Sequence, residues 1–243
     1  MNKDESTFRR MAGLTAIISA PITLGASLVL IMAVQGDPEI MSNPVGMLTL
    51  GESVAGIFRW VEFAGMFGYY LLFVPVTIYL WKWLSPRKPN LISVYTVFGL
   101  MSITVGAVGS ALLISVWPPL ISAYTQASQS QQEVLSSVFQ TFNDVVLVGL
   151  LPVSSLLFGV WSLGIGLDLR AEKRALGIAA VVLGIIHIAY ALGAILQIEL
   201  LARLEFLTFL APIWALWLGI VIYRRDEHQP VLDPAERAEL QGA

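Results

Sequence analysis

The sequence predicts an all-α fold: a polytopic membrane bundle of six transmembrane helices with both termini cytoplasmic. Three observations carry that expectation. Of 243 residues, 56% are hydrophobic and only 13% are charged, far from the roughly one-quarter charged composition of soluble domains. Six stretches are apolar for the length that hydrocarbon demands, about 20 residues at a rise of about 1.5 Å each. Of the 14 Lys and Arg residues, only Arg59 and Arg203 fall on the second side of such a bundle. That asymmetry assigns the basic side to the cytoplasm of a bacterial inner membrane.

The first span, residues 11–34, follows the charged start "MNKDESTFRR". Its apolar run exceeds the roughly 7–15 residues of a signal peptide core, and "MAVQGD" lacks small residues at cleavage spacing, so it reads as a span. Next comes "GDPEIMSNPVGMLTLGESVAGIF", with apolar pieces too short to cross. This leaves a re-entrant or interfacial segment open. Spans two (60–84) and three (91–117) flank the basic turn "SPRKPN". The second long connection is polar around 126–132, then sets Leu135, Val138, Phe139 and Phe142 at helical spacing. It predicts an amphipathic helix that extends span four outward or lies on the membrane surface. Spans four (144–167) and five (175–198) flank "DLRAEKR"; span six is 204–223. Residues 224–243 form a polar tail in which Asp233, Pro234 and Glu236 suit the start of a short helix. Helices are required throughout, because lipid offers no water to unpaired backbone groups and the runs lack a barrel's alternation.

Small residues recur at three- and four-residue intervals: Gly13, Ala16, Ala20, Thr23 and Ser27 in span one; Gly99, Ser102, Gly106 and Gly109 in span three. Ser155, Gly159, Ser162 and Gly166 do so in span four, and Gly177, Ala180, Gly184, His187, Ala191 and Ala194 in span five. Such seams let backbones approach, and packing is their first explanation; lining a small cavity is the second. Pro21, Pro75, Pro152 and Pro212 each remove a backbone donor inside a span, a source of kinks.

His187 lies in "GIIHIAYALG" on the small-residue seam of span five. It is therefore expected to face other helices and to need partners for both ring nitrogens, from Ser or Thr on a facing helix or from Tyr190. A satisfied structural histidine, a polar lining of a ligand or proton path, and a metal ligand are the alternatives, in that order. Ionisable groups also gather toward the second side: Arg59 and Glu62 three apart, Asp144 at the start of span four, Glu199 and Arg203 four apart, and Glu205 just beyond. They are expected to meet across the bundle, either as an entrance for a polar headgroup, ion or partner loop, or simply as mutually stabilising pairs. Glu62 is the sharpest of them, about a turn inside its span. His187 lies roughly 10 Å or more deeper by helical rise, which speaks against a shared metal site.

Zero cysteines exclude disulfides, thiolate nucleophiles and cysteine-ligated metals. Dispersed basic residues and a net charge of -3 argue against a nucleic-acid partner. The segments "RRMAGLTAIISAPITLGASLVL", "LLFGVWSLGIGLDLR", "RALGIAAVVLGIIHIAYALGAI" and "APIWALWLGIVIY" resemble a bacterial family of uncharacterised six-span membrane proteins, catalogued as a domain of unknown function. The resemblance implies a helical bundle of bacterial origin and carries no catalytic residues across; the cofactor is unknown. The residues favour a non-enzymatic protein that binds a membrane partner, lipid or apolar ligand, such as an accessory subunit. A proton-coupled or small-solute transporter using His187 and Glu62 is the alternative. An intramembrane enzyme ranks third, because nothing in the sequence ties His187 to Ser154 or Ser155.

Overall fold

The computed structural model describes residues 3–34, 40 and 44–225. Six helical segments are long and apolar enough to cross a membrane: Asp4–Ala33, Glu52–Leu84, Pro89–Gln126, Gln129–Leu169, Arg174–Ile195 and Glu199–Arg224. The protein is therefore an integral, multi-pass membrane protein, and an even number of crossings leaves both ends on one face, called here the terminal face. Consecutive spans pack side by side and the sixth returns to the first, so the bundle closes on itself. Large apolar side chains such as Leu28, Val97, Ile185 and Ile213 stay exposed around its circumference, where acyl chains would cover them.

Several spans are longer than the hydropathy pattern predicts. The third helix runs over 38 residues, about 57 Å at helical rise against about 30 Å of hydrocarbon. That length exceeds the hydrocarbon, and the end of the helix packs beside the start of span four. There the predicted amphipathic stretch forms the helix Gln129–Asn143, opened by a Ser128/Gln131 capping box. It extends span four and buries Phe139 completely. Phe139 packs on Trp117, which meets Phe58 edge-on at 5.3 Å. The short 3-10 helix Pro44–Leu50 closes over the same cluster through Met47 and Leu48, both buried. Its apolar residues thus serve a second core away from the terminal face. The main core, built around Leu80, Trp83, Trp161, Leu169 and Trp214, fills the other half. The tail helix expected around Asp233, Pro234 and Glu236 lies outside the described residues.

Two spans are not regular. Span two passes through a π-helical segment at Met66–Tyr70 and a 3-10 turn at Leu71–Phe73 before its helix resumes at Val74. Span four holds a π-helical segment at Asp144–Leu150 and resumes at Leu151. Each resumption carries a proline near its start, Pro75 and Pro152, whose missing N–H interrupts the backbone hydrogen-bond ladder of the span. The prolines therefore mark changes of helical pitch. In span two a carbonyl of the π segment, that of Gly68, accepts a hydrogen bond from the Ser19 hydroxyl of span one at 2.7 Å.

The seams divide by role. Spans four and five meet backbone to backbone: a Cβ added at Gly184 would sit 2.8 Å from the Gly159 carbonyl oxygen, and one at Gly166 would sit 2.9 Å from that of Gly177. Ser162 ties the pair by donating to the Ala180 carbonyl at 2.9 Å. Two glycines of span three instead receive rings, Gly99 the indole of Trp161 and Gly106 the phenol of Tyr70, while Gly109 receives Leu151.

Candidate functional site

The rings that span three accommodates form a wall of an internal cavity of about 190 Å³, bounded by spans two to five and by the start of span six. Span two contributes Tyr69 and Tyr70 from its π segment, span four Ser155, Phe158 and Trp161, span five His187 and Tyr190. Glu205, Thr208 and Phe209 stand at the end away from the terminal face. The two pitch changes help explain why space remains here, since a π turn widens its helix and interrupts side-by-side packing.

His187 is 5% exposed and faces its neighbours, as its place on the seam predicts. Its Nδ1 lies 2.8 Å from the Ser155 hydroxyl oxygen, and the same oxygen is 3.3 Å from the His187 carbonyl. The expected Ser or Thr partner on a facing helix is thus Ser155, which sits on the adjacent, closely packed span four, a pairing that sequence spacing does not display. Phe158 packs against the imidazole with ring centroids 4.5 Å apart. If Ser155 donates to the carbonyl, Nδ1–H donates to Ser155 and Nε2 is a bare acceptor. If Ser155 donates to Nδ1, Nε2 carries the proton. In both tautomers Nε2 is buried and has no hydrogen-bond partner among the described residues. The indole Nε1–H of Trp161, held among Phe73, Phe158 and Trp214, is equally buried and equally unpaired.

The remaining polar atoms of the wall are mostly satisfied. Tyr69 donates to the Thr208 carbonyl at 3.2 Å. Tyr70 lies near Ser154, whose hydroxyl donates to the Ser102 carbonyl at 2.9 Å while Ser102 donates back to the Ser154 carbonyl at 2.8 Å. Tyr190 lies within electrostatic reach of Glu205.

The predicted gathering of charges does not occur. Arg59 is exposed and pairs with no carboxylate among the described residues. Glu62 turns the other way, to the Ser110 hydroxyl of span three and toward Tyr70. Asp144 is exposed and accepts from Gln140 at 2.9 Å. Glu199 and Arg203 pair only with one another, 2.6 Å apart and open to the surroundings. Of that set Glu205 alone reaches the cavity. Sharing a helical face fixes which residues are neighbours, but not the direction in which the face turns. Among the described residues no three His, Asp or Glu side chains form a metal-holding group.

A tighter charge cluster sits on the terminal face. Glu172, in the turn between spans four and five, accepts from the Trp83 indole at 2.9 Å, pairs with Arg87 and lies 3.6 Å from Arg225. Arg225 also caps the Trp83 ring at 3.9 Å, and Lys88 pairs with Asp168 at 2.8 Å. The basic turns "SPRKPN" and "DLRAEKR" are thereby latched together. No short-range pattern reveals this, since Arg87 and Glu172 are 85 residues apart.

The chain belongs to DUF4386, a domain of unknown function, whose family model matches residues 11–222. No curated protein and no solved structure matches the chain.

Proposed function

We propose that this member of the DUF4386 family is a non-enzymatic binding protein that holds a small, mostly apolar molecule bearing a hydrogen-bonding group inside the bilayer. One observation carries the reading: His187 and Trp161, which each hold a buried ring nitrogen with no hydrogen-bond partner among the described residues, both line a single cavity. An unsatisfied buried polar group costs about 1–3 kcal/mol. Two such residues on one wall support a guest with a complementary acceptor or donor. The volume suits a guest somewhat larger than benzene, which fills an apolar cavity of about 150 Å³.

Native mass spectrometry after gentle extraction tests this directly. A stoichiometric small-molecule adduct is expected, weakened in both His187→Leu and Trp161→Phe. Ordered water as the sole occupant, or an adduct that both variants retain at full strength, would overturn it.

A second reading, passage of a proton or small solute, draws on Tyr70, which lies within electrostatic reach of Glu62 and near Ser154 in the cavity wall. It predicts flux into liposomes that Glu62→Gln and His187→Ala both abolish.

A further inference from the structure

Resting on the binding reading above, we infer that the guest is a neutralisable or permanent organic cation: a lipophilic amine or ammonium with a ring-sized apolar body. The cavity's charge and its ring content point the same way. Among the described residues, Glu205 is the only Asp, Glu, Lys or Arg in its wall. A carboxylate or phosphate head would therefore meet a like charge at the cavity's outer end and no cation within. An ammonium would meet the opposite charge there.

The walls add a second attraction. Tyr69, Tyr70, Phe158, Trp161 and Tyr190 surround the space, and aromatic rings draw a cation through the negative potential of their faces. The gain is largest where water is excluded, and rings grouped about one void are how quaternary ammonium groups are recognised. A low-dielectric cavity holding no carboxylate would reject a charged guest; Glu205 removes that objection, with Tyr190 in electrostatic reach of it. The unpaired Trp161 N–H and His187 Nε2 then serve the remainder of the guest, an acceptor for the first and a donor or acceptor for the second, according to tautomer.

The closing experiment uses two probes of nearly equal shape, phenyltrimethylammonium and its uncharged isostere tert-butylbenzene, added to the purified full chain in lipid nanodiscs. Binding is followed by calorimetry and by change in tryptophan fluorescence. The ammonium is expected to bind at least tenfold more tightly than the isostere. Glu205→Gln, at an exposed position, should remove most of that preference while leaving the isostere's affinity in place. If the isostere binds as well as the ammonium, or if Glu205→Gln leaves the ratio unchanged, the cation assignment falls and the binding reading stands. If neither probe binds, both fall.

Discussion

The Ser155 hydroxyl and His187 Nδ1, on facing helices, lie 2.8 Å apart. The bond fixes the imidazole so that Nε2, rather than Nδ1, is the nitrogen left for the cavity. It acts as an orienting strut between spans four and five.

Ser155→Ala should therefore cost a modest amount of stability. Interhelical hydrogen bonds in membranes average about 0.6 kcal/mol and reach about 1.7 kcal/mol. Reversible unfolding in mixed micelles should place the loss in that range, and a double-mutant cycle with His187→Leu should show the two effects to be coupled. Strict additivity would mean that the contact contributes nothing.

Gly184→Ala should be more damaging than its chemistry suggests. The added methyl carbon would lie 2.7 Å from the Leu163 amide nitrogen and 2.8 Å from the Gly159 carbonyl oxygen, both backbone atoms that cannot step aside alone. Overpacking of this kind costs about 1–3 kcal/mol. Gly25→Ala, where the new carbon meets open space, is the matched control and should show no loss in the same unfolding assay.

Glu172→Ala should loosen the terminal face. It removes the acceptor shared by Trp83, Arg87 and Arg225, and hydrogen bonds to charged groups contribute about 1.5–3 kcal/mol. Faster proteolysis near residues 85–88 is the expected readout. Because the carboxylate is only 14% exposed, salt should reproduce little of the effect in the wild-type protein.

Reporter fusions at the two ends should give the same compartment, which the lysine and arginine bias predicts to be the cytoplasm. A reporter placed in the 126–128 turn should give the opposite answer. Ends reporting on different sides would contradict six crossings.

The spans were legible because hydrocarbon imposes a length and a composition, both written locally. His187 was legible as an inward residue because it shares a seam with Gly177, Ala180 and Gly184, all buried. The companion residues were not. Ser155 meets His187, and Glu172 meets Arg87, only once helices distant in sequence are side by side. Arg59 and Glu62 share a helical face by spacing, yet one points outward and the other to Ser110. Their divergence occurs just before Met66–Tyr70, where hydropathy gives no sign of altered pitch.

Those few wider turns each take up a residue more than regular winding would, so the tolerance of span two to a lost residue depends on where the loss falls. One residue of helix corresponds to a rotation of about 100°. A single deletion within 66–70 can restore regular winding with both halves in register, whereas one in the regular helix between Glu62 and Met66 would swing the outer half like a dial against the inner, carrying Phe58 out of its nest of rings. Substitutions there can be absorbed one contact at a time; loss of one link would misalign every contact beyond it together.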